Sequence, residues 1–397
     1  MTGYISALAT RWNMLLGEFP AALRTSGYIY DAAAVLRNYA RLVVEFPGCR
    51  VLVSVKANPH AELVERLAAV GADFDVASQA ELQLVRAHSG AGSVSAVGPG
   101  KPDSFIAACV VDTIQVFVAE SRRDLEVLAK TVDSARLVAP RVLLRVNPSG
   151  ATTAANEIMG GKPSQFGIDE EEIPALVEFC QEVMPGALAG YHYFLGSQIR
   201  SAGGVIANID EIDCSLQRLR STGFVPTALN VGGGFGIPHS DDDPEVLLSE
   251  VWERIKLLRE TLERSGEDIE LMMEAGRYVY GDAGVYVTHV VDIKVSKGIH
   301  YVIVDNGISG FTRPALLWGE AHPIWKLGTM PAVGNTVCTV VGPTCLPGDV
   351  IAEGVLLSDP APGDTLIVGC AGAYGYTMSM HAWGSVGTPS ETVIGEP

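Results

Sequence analysis

Eight short apolar runs recur through the middle of the chain, at 51–56, 74–77, 94–97, 114–118, 141–146, 187–193, 228–231 and 270–273. Each is too short for a buried helix and suits a strand. Between them lie stretches with helical spacing of apolar residues, most clearly at 60–70, 79–88, 121–132, 169–183, 204–221 and 243–265. Strands that alternate singly with helices must pair in parallel. Eight such units are expected to close into a (β/α)8 barrel of about 225 residues.

The pattern differs at both ends. Residues 1–27 are helix-like and then irregular, 28–31 suit a short strand, and 32–45 suit a helix. After residue 280 long helical patterns stop. Strand candidates follow at 285–296, 300–305, 337–342 and 364–368, separated by turns such as Asp305-Asn306-Gly307 and Pro362-Gly363-Asp364. The expectation is an α/β chain: a barrel over 28–275, then a β-rich sandwich- or barrel-like domain over 276–397, joined by part of 1–27.

Composition narrows the function. With 48% hydrophobic and 19% charged residues, the 397-residue chain can bury a large core. A net charge of -18 argues against nucleic-acid binding, which needs a basic footprint. The seven cysteines form no CxxC pair and no zinc spacing, so no metal site is expected, and their odd number fits reduced thiols in a cytoplasm. Residues 1–19 lack the apolar core of a signal peptide, and no run reaches membrane-spanning length.

Barrel enzymes work at the C-terminal ends of their strands. The first run ends in Lys56, the second is followed by Ser78, and the third by Gly98-Pro99-Gly100-Lys101. The fifth holds Arg145, and the sixth passes through His192, Tyr193 and Phe194 to Gly196-Ser197-Gln198. The seventh ends in Gly232-Gly233-Gly234-Phe235-Gly236 and the eighth in Glu274-Ala275-Gly276-Arg277. Lys56 reads either as an edge lysine in water or as a desolvated amine able to form a Schiff base. The glycines read as a flexible turn or as bare N–H groups for an anion; no GxGxxG opens a helix here, so they are not a dinucleotide fingerprint. Glu274 reads as an ion-pair partner of Arg145 or Arg277, or as the acid facing a heterocyclic nitrogen. Lysine, phosphate cradle and carboxylate at one barrel mouth suggest pyridoxal 5'-phosphate.

Nine motifs stand in order: Ser54-Val55-Lys56-Ala57-Asn58, Phe74-Asp75-Val76-Ala77-Ser78, Phe166-Gly167-Ile168, Gly196-Ser197-Gln198, Gly232-Gly233-Gly234-Phe235-Gly236, Glu274-Ala275-Gly276-Arg277, Arg313-Pro314-Ala315, Gly342-Pro343-Thr344-Cys345 and Gly372-Ala373-Tyr374. From residue 28 to about 380 the chain thereby resembles the fold-type III pyridoxal-phosphate decarboxylases, the diaminopimelate and ornithine decarboxylase group. The resemblance implies that Lys56 carries the cofactor and Glu274 pairs with its pyridine nitrogen. It places Gly233, Gly234, Gly276 and Arg277 on the phosphate side, and Asp75, Arg145, Phe194 and Ser197 in the cofactor site. Tyr374 is expected to reach phosphate or substrate. Cys345, crossing from the partner in a head-to-tail homodimer, is expected to protonate the quinonoid carbon. Substrate contacts are expected from Arg277, Arg313, Leu346 and Tyr374.

Three positions depart from the diaminopimelate enzymes. Phe194 stands where they carry a cofactor-stacking histidine, Leu346 where an acid follows the cysteine, and Leu317 where a tyrosine follows the Arg-Pro-Ala motif. A substrate ammonium left unpaired beside leucine costs several kcal/mol at order of magnitude. Residues 159–168 resemble instead the branch acting on conjugated amino acids, which includes glutamyl-carrier-protein and citryl-amino-acid decarboxylases. The expected activity is α-decarboxylation of an amino acid or its conjugate, in amino-acid or secondary metabolism. An acyl carrier protein is a candidate partner, although the net negative charge does not favour docking an acidic one. The alternatives are diaminopimelate decarboxylase proper, a racemase, or a non-catalytic pyridoxal-phosphate-binding protein. Glu274 and Cys345 disfavour the second, and the β-rich domain disfavours the third.

Overall fold

All eight expected runs form strands: Cys49–Ser54, Asp73–Val76, Val94–Ala96, Val116–Ala119, Arg141–Asn147, Leu188–His192, Ala228–Asn230 and Glu270–Ala275. Each pairs in parallel with its neighbour in the chain, and the first pairs with the eighth, so the sheet closes into the expected (β/α)8 barrel. The computed structural model describes residues 3–89, 93–150, 157–264, 269–312 and 321–395. The chain divides into two units, of which the barrel unit is 39–236 with 245–276.

The barrel interior is filled by Leu52, Val116, Val118, Leu143, Ala189, Ala228 and Met272. Side chains two apart on a strand share a face. Residues two places after these plugs therefore face the barrel's C-terminal mouth: Ser54 after Leu52, Arg145 after Leu143, Asn230 after Ala228 and Glu274 after Met272. Helices on the outside bury the strands' other faces, which is why the runs read as continuously apolar. Ala202–Leu219 shows how they are specified. Ser201 caps it by accepting from Gly204 N at 3.2 Å, and Val205, Ile209, Ile212, Leu216 and Leu219 form its buried stripe. The six expected helical stretches are present, together with a further helix, Asp103–Val111.

The second unit comprises 1–38, 237–244 and 277–397. Its mixed, nearly closed sheet has eight strands, six of them in the order Ile324–Lys326, Thr365–Val368, Gly284–Ser296, Ile299–Val304, Thr336–Val341 and Val350–Leu357. Gly27–Asp31 lies in this sheet and not in the barrel, antiparallel to Gly284–Ser296 and parallel to Ser390–Ile394. Its residues are all buried, and the Tyr28 hydroxyl donates to Gly310 O at 2.6 Å. The N-terminal helix Tyr4–Glu18 fills this unit's core. Ile5, Leu8, Ala9, Trp12 and Leu16 form a stripe against Ile29, Val285, Val287, Trp325, Ile367 and Ile394. No described helix is long and apolar enough to cross a membrane.

Candidate active site

Lys56 sits just beyond the first barrel strand, in a single 3-10 turn, Val55–Ala57. Its side chain is 33% exposed, and Nζ lies 2.6 Å from Oδ2 of Asp75. It is therefore not an edge lysine in water. Asp75, on the second strand, is fully buried, and its other oxygen accepts from Ser54 Oγ at 2.5 Å. Burial raises the Asp75 carboxyl above its ordinary range, against the pull of Lys56 and Ser54. Desolvation thus outweighs the ion pair.

Glu274, on the eighth strand, is 3% exposed. Its Oε1 accepts from Asn230 Nδ2 at 3.0 Å and lies 2.8 Å from His192 Nε2. Burial pushes this carboxyl up, but the imidazole of His192, with help from the charges of Lys56 and Arg145, outweighs burial and holds it down at about 2. Oε2 has no hydrogen-bond partner among the described residues. Of the arginines considered as its partner, Arg145 pairs instead with Glu120 at 2.9 Å and lies over the Phe166 ring at 4.9 Å.

The glycine segment after the seventh strand runs tight against its neighbours. A Cβ on Gly233 would lie 1.8 Å from Glu274 O, and Gly232 and Gly234 have φ of 70° and 80°. Only glycine fits such a path. Gly232 N donates to Asn230 Oδ1 at 2.9 Å, whereas the N–H groups of Gly233 and Gly234 have no acceptor among the described residues. Phe194 and Ser197, half-buried, follow the sixth strand, and Gly276 follows the eighth. Gly196–Ser197 pairs with Glu157–Ile158, and Met159 N donates to Leu195 O at 3.0 Å. Residues 157–161 are thus laid along this strand end, and Gly161 N ties them to Asn147 Oδ1 at 2.8 Å.

The remaining expected residues lie in the second unit. Arg277 is buried at the start of the short helix Arg277–Tyr280, its guanidinium 5.2 Å from the centre of the Tyr374 ring. Tyr374 has φ of 61°, a left-handed conformation that costs a tyrosine energy and suits a constrained site. Cys345 is exposed on the turn between Thr336–Val341 and Val350–Leu357. Buried Asp349 holds that turn, accepting from Thr344 N at 3.0 Å, Thr344 Oγ1 at 2.5 Å and Ile308 N at 2.8 Å. Leu346, beside the cysteine, is 36% exposed. Arg313 and Leu317 lie outside the described residues. Among those described, no cluster of His, Cys, Asp or Glu could hold a metal ion.

Ser54, His192, Asn230 and Asp349 were not given roles from the sequence. Three of them have a positional mark that is recognisable once the barrel plugs are known. Ser54 and Asn230 are the polar residues two places after an apolar barrel plug, and His192 closes a strand.

Pyridoxal 5'-phosphate has three polar ends, and the barrel mouth has a counterpart for each. Lys56 offers an amine for the aldehyde, Gly233 and Gly234 offer unengaged N–H donors for the phosphate, and Glu274 Oε2 is an open acceptor for a protonated ring nitrogen. Residues 32–281 match the family model described as pyridoxal-dependent decarboxylase, pyridoxal binding domain. The chain is 29% identical over 367 residues to 2-[(L-alanin-3-ylcarbamoyl)methyl]-2-hydroxybutanedioate decarboxylase of Staphylococcus aureus, covering 89% of this chain and 90% of that protein. It is 28% identical over 366 residues to L-glutamyl-[BtrI acyl-carrier protein] decarboxylase of Niallia circulans, covering 89% and 86%. The crystal structure of diaminopimelate decarboxylase from Helicobacter pylori, complexed with L-lysine, superposes with a TM-score of 0.82 at 25% identity, covering 96% of this chain and 94% of that one.

Proposed function

We infer the function from one premise: the chain belongs to the pyridoxal-dependent decarboxylases and uses pyridoxal 5'-phosphate. The reaction is loss of carbon dioxide from an amino acid. The bond from the α-carbon to its carboxylate breaks, carbon dioxide leaves, and a proton takes its place. Bound cofactor supplies the electron sink for the pair left on the α-carbon. Lys56 would hold the aldehyde end, Gly233 and Gly234 the phosphate, and Glu274 the ring nitrogen. Asp75, paired with Lys56 at 2.6 Å, would hold that amine in place. Phe194 offers the cofactor an apolar ring with no hydrogen bond and no charge. The chain acts as a homodimer in which Cys345 of one subunit returns the proton to the α-carbon in the other's site. Its exposed thiol, on a turn held by Asp349, supports that role.

The observation that carries the decarboxylase reading is Glu274. It is kept anionic, with one oxygen closed by two partners and the other open. Such a group keeps a proton on the ring nitrogen and so deepens the electron sink.

The substrate's distal group is an amide, ester, thioester or carboxylate-bearing arm and not a free ammonium. Leu346 stands where an ammonium would need an acid, and Arg313 can fork onto a carboxylate. Two relatives support this, since their names specify a carbamoyl-linked hydroxybutanedioate and a carrier-bound glutamyl group. The test begins with the cofactor. Purified protein should be yellow, borohydride should bleach it, and peptide mapping should find the pyridoxyl group on Lys56. A label on Lys101 instead, or no label, overturns the reading.

A further inference from the structure

The acid at the ring-nitrogen end does not stand alone. Oε1 of Glu274 is shared by His192 Nε2 at 2.8 Å and Asn230 Nδ2 at 3.0 Å, with all three side chains buried. An ionised carboxylate only accepts, so the imidazole nitrogen facing it carries a hydrogen. His192 Nδ1 is buried with no hydrogen-bond partner among the described residues. Asn230 is fixed from its other end, because its Oδ1 accepts from Gly232 N at 2.9 Å. One amide therefore links the glycine segment to the carboxylate.

We propose that His192 is a positioning residue for the cofactor's ring nitrogen: with Asn230 it saturates Oε1 of Glu274, so that Oε2 is the only lone-pair-bearing oxygen presented to the ring. The proposal rests on the reading of the site given above and adds a residue to it. His192 touches neither substrate nor cofactor in this account; it acts through Glu274. Without it, Glu274 would remain buried with one donor fewer. The carboxyl would then take a proton more readily, and the ring nitrogen would lose its own. Asn230 carries the same constraint to Gly232, so the two ends of the cofactor site are held in register by side chains of the sixth, seventh and eighth strands.

The test uses the holoenzyme reconstituted with pyridoxal phosphate labelled with nitrogen-15 in the ring. In wild type the ring-nitrogen signal should stay at the protonated position between about pH 6 and 9, a range that includes the point near 6.5 where an unperturbed histidine loses its charge. In His192→Phe, which keeps a ring and removes the donor, the signal should titrate within that range. The cofactor dissociation constant should rise about 10- to 100-fold, the loss expected for one hydrogen bond to a charged group. His192→Gln restores an N–H near the Nε2 position and should recover most of both. A His192→Phe signal and dissociation constant within about threefold of wild type would overturn the proposal. Should that variant not fold, nitrogen-15 histidine spectra of the wild-type holoenzyme decide the same point, with His192 assigned by its absence from His192→Gln. A hydrogen on Nε2 is required, and a bare Nε2 overturns the proposal. Failure of the underlying reading looks different: wild-type protein would then show no bound ring-nitrogen signal and no borohydride label on Lys56.

Discussion

Replacing Glu274 by glutamine removes the anion and keeps the shape. The amide oxygen can still take both donors, His192 and Asn230, so the strand end should hold its geometry. The amide NH2 would then stand where Oε2 stands, and an amide nitrogen cannot accept a proton from the ring. What is lost is one hydrogen bond between charged groups, about 1.5–3 kcal/mol. It is lost where the electron pair has moved onto the ring, so it falls on kcat: about 10- to 150-fold slower, with KM changed by less than about threefold. Steady-state carbon dioxide release from protein saturated with cofactor measures this. Lys56 and the glycine segment are untouched, so Glu274→Gln should still take a borohydride label on Lys56. A second signature lies in stability. The carboxyl is held at about 2, below its unfolded value of 4.5, so its contribution is present above about pH 4.5 and is lost as pH falls toward 2. The gap in denaturant midpoint between wild type and Glu274→Gln should therefore close on acidification across that window. A kcat within about threefold of wild type at full cofactor loading would refute the assignment of Glu274 to the ring nitrogen.

Mixing two inactive variants, Lys56→Ala and Cys345→Ala, should restore activity up to about a quarter of wild type, since random pairing gives half heterodimers with one intact site each; no recovery despite proven subunit exchange would place both residues in one subunit's site or remove one from the mechanism. In the β unit, Asp305 lies 3.3 Å from His289 Nδ1 and raises the histidine above 6.5. That stabilisation is complete below about pH 6.5 and is lost as pH rises through the folded value, so His289→Gln should lower the denaturant midpoint more at about pH 6 than at about pH 9; an equal or larger loss at the higher pH would contradict it.

Much of this was legible in the sequence because a barrel writes itself into period and order. Every barrel strand appeared as an apolar run, since each is buried on both faces. The helix Asp103–Val111 left no such mark. Phe105, Ile106, Cys109 and Val110 are buried and its remaining residues are mostly apolar too, so no polar face set its period. Val350–Leu357 is interrupted by Gly354 at φ 69°, which breaks strand alternation. Ser390–Ile394 is a strand because it pairs with Gly27–Asp31 from the far end of the chain, a partner its local residues do not announce. The same distinction holds in the site. Lys56 and Glu274 stood out because charge at the end of an apolar run is costly. His192 and Asn230 did not, because their meaning lies in a shared contact across three strands with Oε1 of Glu274.

Carbon dioxide release across a panel of free diamino acids and acylated, carrier-linked or citrylated amino acids tests the substrate assignment directly. One of the arm-bearing substrates should turn over best. Free meso-diaminopimelate, lysine and ornithine should turn over poorly, because Leu346 offers their second ammonium no partner. Turnover of free diaminopimelate with kcat/KM of roughly 10⁴ M⁻¹s⁻¹ or above would contradict this and assign this chain the activity of the diaminopimelate enzymes.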